Sequence, residues 1–299
     1  RNEIHNEGFE IRDHRLGSHI TPKPPWAKPS DTISSSKDIP SLITSSNKYD
    51  FSIIVLSKDN PTELKRTLES INRWCRNEKI EVIIADNNSA DETLQWLNSL
   101  PQEYKFLNLI QADHNLGTAA AYNASLRYSS GKIIILMDTS VEITGDILPI
   151  LGEMFLDNRT GLAGRWGVMS NDLRQFHETD TGGEVDAIEG YIAAFPRSIL
   201  KETGLLNEKF RFYRHLDLDL SFSIKNLNYR IVTNTNLPVI RHDHLDWIRT
   251  PTEERDRLSK RNFYRFLHKW GHRTDLLINE PKDNHSTHHH ETTSNCNST

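Results

Sequence analysis

Short aliphatic runs and helix-spaced apolar residues take turns through the middle of the chain. Phe51 to Leu56 is the first run, and Pro61 then opens a stretch in which Leu64, Leu68, Ile71, Trp74 and Cys75 recur at helical spacing. Ile80 to Ala85 is a second strand-like run ending at Asp86, and Thr93, Leu94 and Leu97 begin another helix. Phe106 to Ile110, the helix Ala119 to Tyr128 and the strand Ile133 to Met137, ending at Asp138, continue the alternation. Near-continuous aliphatic strands separated by helices predict a mostly parallel sheet covered on both faces. Ligands of such sheets sit beyond the carboxyl ends of the strands, where Asp86 and Asp138 both fall. After about residue 145 the rhythm loosens. It predicts a helix near Ile147 to Leu156, glycine-punctuated sequence through Gly161, Gly164 and Gly167, and a strand from Ile188 to Phe195. A helix from near Leu218 and a strand from Tyr229 to Val232 follow. A basic amphipathic helix closes the pattern, with Leu258, Phe263, Phe266, Leu267 and Trp270 facing inward.

Both ends depart from it. Residues 1–48 form a Pro- and Ser-rich extension in which Trp26 is the main thing to bury, and residues 276–299 form a His-rich, disordered tail. Between them lies one domain, residues 49–275: a regular half at 49–140, a less regular half at 141–250 and the closing helix at 251–275. Composition adds exclusions. A net charge of −5 argues against nucleic acid as a partner. No apolar run approaches the roughly 20 residues of a membrane-spanning helix. Cys75 and Cys296 offer neither a disulfide framework nor a thiolate metal cage. Nothing resembles a secretory signal, which implies a cytoplasmic chain; its first residue, Arg1, suggests a fragment or processed form.

Several junctions could carry chemistry, each beside a plainer reading. Asp86-Asn87-Asn88-Ser89-Ala90-Asp91 could hold a nucleobase or ribose, or simply cap a helix. His114-Asn115-Leu116-Gly117 with Asn123 could face a diphosphate, or reflect close helix packing. Asp138-Thr139-Ser140 could bind a divalent cation, or be a turn. Asp217 and Asp219 begin a predicted helix, where a carboxylate can serve as a general base or as a cap. His242 and His244 suit metal ligation, or are surface histidines. His288-His289-His290 with Cys296 reads as tail. The basic face of the closing helix could touch acidic lipid, or be merely solvated.

The order of these pieces is more specific than any one of them. Ser52 to Pro61, Glu81 to Ser89, Asn115-Leu-Gly117 with Tyr122-Asn123, and Ile135-Leu-Met-Asp138 together resemble the nucleotide-binding half of family 2 glycosyltransferases. The resemblance runs on through Gly190 to Phe195, Leu216 to Ser221, Asn228 to Ile231 and Arg257 to Tyr264, covering about residues 50–270. It implies the GT-A fold, an α/β/α domain with a mostly parallel mixed sheet. It also implies inverting transfer from a nucleotide-diphosphate sugar. On the matching positions it makes Asp217 the base that deprotonates the acceptor hydroxyl. It puts the nucleotide sugar at Ser57, Asp86, Asn88, Asn115, Gly117, Asn123, Asp138 and Thr139, and Mg²⁺ or Mn²⁺ at Asp138 with His242 or His244. The irregular segment from Arg165 to Glu189 points to the acceptor, with Trp166, Glu189, Gly190 and Tyr191 available to stack on and hydrogen-bond sugar.

Two positions depart from the family pattern. Ser140 replaces the second acid of the Asp-x-Asp motif and weakens the expected metal site, with Glu142 near enough to be considered. Leu216 replaces the glutamate before the base. These keep open an alternative, a GT-A module that binds nucleotide or glycan without transfer. UDP- or dTDP-sugars are expected above GDP-sugars as donors. A polysaccharide, glycolipid or protein-linked glycan is expected as acceptor, with peripheral contact at the inner face of a membrane conceivable.

Overall fold

The computed structural model describes residues 32–39, 48–75, 79–98 and 107–278. Most of the amino-terminal extension, Trp26 included, Phe106, and residues 279–299 with Cys296 lie outside the described residues. Leu276 to Ile278, expected in the tail, belong instead to the domain, with Leu277 buried and Ile278 N–H bonded to Asp186. In chain order the first half holds β1 (Thr32–Ile33), β2 (Tyr49–Ser57), α1 (Pro61–Trp74), β3 (Ile80–Asp86), α2 (Asp91–Asn98), β4 (Leu107–Ala112), α3 (Thr118–Tyr128) and β5 (Gly131–Met137). The second half opens with β6 (Val141–Ile143), α4 (Leu148–Met154), β7 (Thr160–Gly164), β8 (Gly167–Met169), β9 (His177–Thr179) and β10 (Gly183–Glu184). It continues with β11 (Ala187–Ile188), β12 (Ile192–Pro196), α5 (Leu200–Thr203), α6 (Leu216–Lys225), β13 (Arg230–Thr233), β14 (Val239–Arg241), α7 (Leu245–Arg249) and α8 (Thr252–Trp270).

Among the described residues one large sheet runs in the order β1-β4-β3-β2-β5-β12-β7-β13-β10. Its first five strands are parallel, as the aliphatic runs predict. β12 then lies antiparallel to both β5 and β7. Alternation within the strands separates two cores. Ile54, Ile83, Ile134 and Leu136 face α3 and α6, while Ile53, Val55, Val82, Ile84, Ile135 and Met137 face α1 and α4. A one-residue slip would exchange the two sets, so the register of β2 against β3, from Phe51↔Ile80 to Ser57↔Asp86, is strongly specified. A third cluster packs Phe222 and Leu218 of α6 against Phe266 and Trp270 of α8 and against the small sheet β11-β8-β9.

Three expectations change. The strand expected from Ile188 to Phe195 is two strands: β11 joins the small sheet, β12 the large one, and Glu189-Gly190-Tyr191 passes between them. Backbone bonds fix this crossing, since Glu189 N–H donates to Trp166 O (3.0 Å) and Asp138 N–H to Tyr191 O (2.9 Å). Trp74 is 39% exposed rather than buried. The buried line of α1 steps through Leu64, Leu68 and Ile71 to Cys75, which leaves Trp74 about 100° off it. In α8, Phe266 and Trp270 are buried as expected, but Asn262 is fully buried beside them.

Candidate site: a cleft at the strand ends

The parallel strands end at a cleft of about 1060 Å³. On its floor Asp138, just past β5, is held by three groups. Ser140 donates to its Oδ1 through N–H (2.8 Å) and through Oγ (2.5 Å), and His244 Nε2 stands 3.3 Å from Oδ2. Burial alone would raise this carboxyl; His244 and Ser140 outweigh it and hold the group below the usual carboxylate range. Burial pulls His244 the other way, and Asp138 outweighs it, raising the imidazole. The Tyr213 ring stacks on His244 at 4.2 Å and 15°, fixing its plane. A carboxylate oxygen and an imidazole nitrogen facing the cleft are donors a divalent transition metal accepts, so the residues present fit such an ion. The expected third donor does not join them. His242 Nε2 pairs with Glu142 Oε2 at 2.8 Å. β14 runs antiparallel to β6 with Ile240 opposite Glu142, and His242, two residues on, reaches Glu142 diagonally across the pair while its N–H donates to Ser140 O. Among the described residues no three His, Cys, Asp or Glu side chains cluster as a metal set.

The nucleotide-side residues divide. Asn115 and Thr139 line the cleft. Asn60 Nδ2 donates to Thr139 Oγ1 (2.7 Å), and Asn87 Nδ2 donates to Asn115 Oδ1 (3.1 Å). Ser57 and Asp86, paired in register, lie just behind Lys58 and Asn87, which line the cleft in their stead. Asp86 Oδ2 accepts from Ser89 N–H (3.2 Å), whereas Oδ1 is buried with no partner among the described residues. Burial pushes this carboxyl up to about 6, against the lowering effect of Ser89. Asn88 is exposed in the left-handed region at φ 64°. Gly117, at φ 89°, passes so close to Arg211 that a Cβ would meet its Cα at 2.9 Å. Asn123 is not in the cleft. It is buried in α3 and clamps the loop before Phe210, donating to Leu206 O (2.9 Å) and accepting from Leu206 N–H (2.9 Å). Its second N–H donates to Glu208 Oε1 (3.0 Å), so both amide hydrogens are committed to this loop.

Across the cleft, Asp217 sits in the first turn of α6. Its Oδ2 accepts from Gly190 N–H (3.0 Å) and its Oδ1 from Leu218 N–H (2.9 Å). Burial raises its carboxyl despite both bonds. Glu189, Gly190 and Tyr191 line the same wall, and Trp166 backs it, meeting Tyr191 edge-on at 5.6 Å. Burial and the nearby Glu178 push Glu189 up to about 7, although Arg241 pairs with it at 3.2 Å.

The sequence profile of glycosyl transferase family 2 matches residues 52–215, more than half of the chain. The chain belongs to glycosyl transferase family 2. Its relatives include a β-monoglucosyldiacylglycerol synthase of Trichormus variabilis, 23% identical over 246 residues that cover 76% of this chain and 51% of that protein. An uncharacterised glycosyltransferase of Bacillus subtilis, YfnE, is 31% identical over 97 residues, 32% of this chain and 24% of its own length. The chain thus spans about half or less of these relatives. Among solved structures, GalNAc-T7 with UDP, GalNAc and Mn²⁺ superposes with a TM-score of 0.64 at 13% identity, covering 77% of this chain and 49% of that one. The Pyrobaculum calidifontis mannosyltransferase PcManGT, in complex with GDP-Man and Mn²⁺, gives 0.55 at 18% identity, covering 83% and 76%. The fold is GT-A.

In this family 2 chain the two sequence departures have physical roles. Ser140 turns its hydroxyl onto Asp138, so it orients the remaining acid. Leu216 is buried in the α3–α6 core, where an unpaired glutamate would be costly. Pattern reasoning missed Arg241. It pairs with Glu178 (2.9 Å) and Glu189 (3.2 Å), and its guanidinium lies against the Trp166 ring at 5.5 Å and the Tyr191 ring at 5.1 Å. Its neighbour His242 drew attention as an expected metal ligand, but nothing in the sequence pairs an isolated arginine with acids so far away. Asn262 was missed too: from α8 it donates to Phe212 O (2.8 Å) and Arg214 O (2.9 Å), holding the loop that carries Tyr213.

Proposed function

We propose that the chain moves a sugar from a nucleotide-diphosphate sugar to a hydroxyl of a glycan or glycolipid, with inversion. The observation that carries this reading is that Asp217 and the Asp138–His244 pair open onto one cleft. Asp217, raised by burial yet oriented by two backbone N–H groups, suits a general base. It takes the proton of the acceptor hydroxyl as that oxygen attacks the anomeric carbon and the bond to the diphosphate breaks. Asp138 and His244 would hold Mg²⁺ or Mn²⁺, which when bound offsets charge on the leaving diphosphate. Glu189 and Tyr191, backed by Trp166, would seat the acceptor. The unpartnered Asp86 Oδ1 supports a pyrimidine donor, UDP or dTDP, whose N3–H it could accept once the wall in front of it yields. Neighbours bound to UDP and to GDP-Man keep both base classes in the test. The lipid acceptor in the Trichormus relative's name supports a glycolipid, met at a membrane face. No helix among the described residues is long and apolar enough to cross a membrane.

A second reading rests on Ser140 and Leu216 replacing two acids: a binding module without transfer. Calorimetric titration of UDP, dTDP and GDP, each with and without Mn²⁺, separates the two on wild type and Asp138→Ala. Tight binding of one nucleotide that needs both Mn²⁺ and Asp138 is the expected result. Metal-indifferent binding with no release of sugar from the matching donor would favour the module. Absence of binding by all three nucleotides would refute the transferase and leave only a module that binds glycan.

A further inference from the structure

The outer face of α8 and the exposed tip of α7 form a patch beside the cleft mouth. After Asp256 the sequence runs to Asp275 with Arg257, Lys260, Arg261, Arg265, Lys269 and Arg273 and no Asp or Glu between. In a chain of net charge −5 this is a local reversal of sign. Arg257, Lys269 and Arg273 are paired with Glu254, Asp219 and Asp275, and Arg265 donates to Asn262. Lys260 and Arg261 have no carboxylate partner among the described residues. Tyr264, one turn from Lys260, is 68% exposed.

The second apolar tip is Ile248 of α7, 59% exposed. It does not sit on a loose loop. The preceding Trp247 is gripped between the guanidinium groups of Arg255 (4.1 Å) and Arg214 (5.0 Å), and Arg249 donates to Asp59 O (2.8 Å). Ile248 and Lys260 line the cleft itself, so the patch and the cleft share a rim.

We propose that this rim docks on an anionic lipid bilayer, with Lys260 and Arg261 meeting headgroups and Ile248 and Tyr264 entering the interface. Basic side chains attract anionic headgroups within a Debye length, and aromatic and aliphatic tips add burial at the boundary. Glu253 and Glu254 in the first turn of α8, with Asp256 just beyond, tilt the attractive part toward its carboxyl end. The inference rests on the transferase reading with an amphiphilic acceptor: a substrate anchored in a bilayer reaches Asp217 only if the cleft mouth faces that bilayer.

Cosedimentation with vesicles of phosphatidylcholine, or of phosphatidylcholine with 30% phosphatidylglycerol, tests it. The whole chain is expected to partition at least tenfold better onto the anionic vesicles at 50 mM NaCl, and to lose that preference at 500 mM. Arg261→Glu with Tyr264→Ser removes the preference at least fivefold while nucleotide titration stays at the wild-type value, which also shows that the variant is folded. Ile248→Ser weakens partition several-fold without altering its salt dependence. Equal partition onto both vesicle types, no partition, or wild-type behaviour of the Arg261/Tyr264 variant would overturn the proposal. Vesicle binding without any nucleotide binding would instead sink the transferase reading and leave the docking surface standing.

Discussion

Single side chains in the cleft work mostly through their neighbours, and their substitutions should show it. Replacing Asp217 by Asn keeps one of the two backbone donors engaged and removes the proton acceptor. Nucleotide affinity should hold while sugar transfer falls about 10²-fold or more, read by product formation with the donor that the titration identifies. Arg241 is a sharper case, because only a planar fork can meet two carboxylates and lie against two rings. Arg241→Lys keeps the charge and should still bind nucleotide, yet lose transfer roughly as badly as Arg241→Met; rescue by lysine would show that charge alone suffices. Asp86 gives a pH signature. Its folded-state value of about 6 exceeds the ordinary 3.8, so the folded form binds the proton more tightly. Its burial is therefore tolerated below about pH 4 and becomes progressively destabilising as pH rises through 6, by up to about 3 kcal/mol. Asp86→Asn should raise the melting temperature at pH 8 and leave it nearly unchanged at pH 4, at the expense of nucleotide binding.

Elements decide which of these side chains meet. The parallel half was legible because β2, β3 and β5 each hold an unbroken aliphatic run, Ile53 to Leu56, Val82 to Ala85 and Ile133 to Met137, most of it buried on both faces. Asp86 and Asp138 follow as strand-end residues without further information. The second half was less legible, since β8, β9, β11 and β14 are two or three residues long, too short for a period to declare itself. Hence Glu189–Tyr191 was expected in a strand and lies in a crossing between sheets, and His242 was expected at the metal and faces Glu142. Asn123 shows a different limit. Small residues around it correctly signalled a close-packed helix, but sequence does not say which face of that helix meets the cleft. The loop at Phe212–Arg214 depends on α8 through Asn262. Asn262→Ala leaves two carbonyls unpaired and should lower stability by about 1–3 kcal/mol, with nucleotide affinity falling as Tyr213 loses its support of His244. A urea melt beside a nucleotide titration would separate the two effects.

Across the whole molecule the cleft lies where the parallel half meets the antiparallel strand β12, and charge is laid out around it with some care. The short helix α7 at Trp247 and the wall at Arg241 are both held by arginines on aromatic faces. Behind the cleft, the fully buried Asp186 accepts from Ser170 N–H, from Lys225 Nζ and from Ile278 N–H, each at 2.8 Å. Removing it strands the Lys225 ammonium, so Asp186→Ala should cost about 3–5 kcal/mol in a denaturant melt. The same carboxylate ties down a residue beyond the closing helix, for α8 ends at Trp270 while Leu277 is buried and Ile278 is bonded inward. Anyone trimming the gene for expression therefore has a physical place to put the stop codon. A cut after residue 275 withdraws one of the three donors from an acid in the dry interior, whereas a cut just past Ile278 leaves it satisfied.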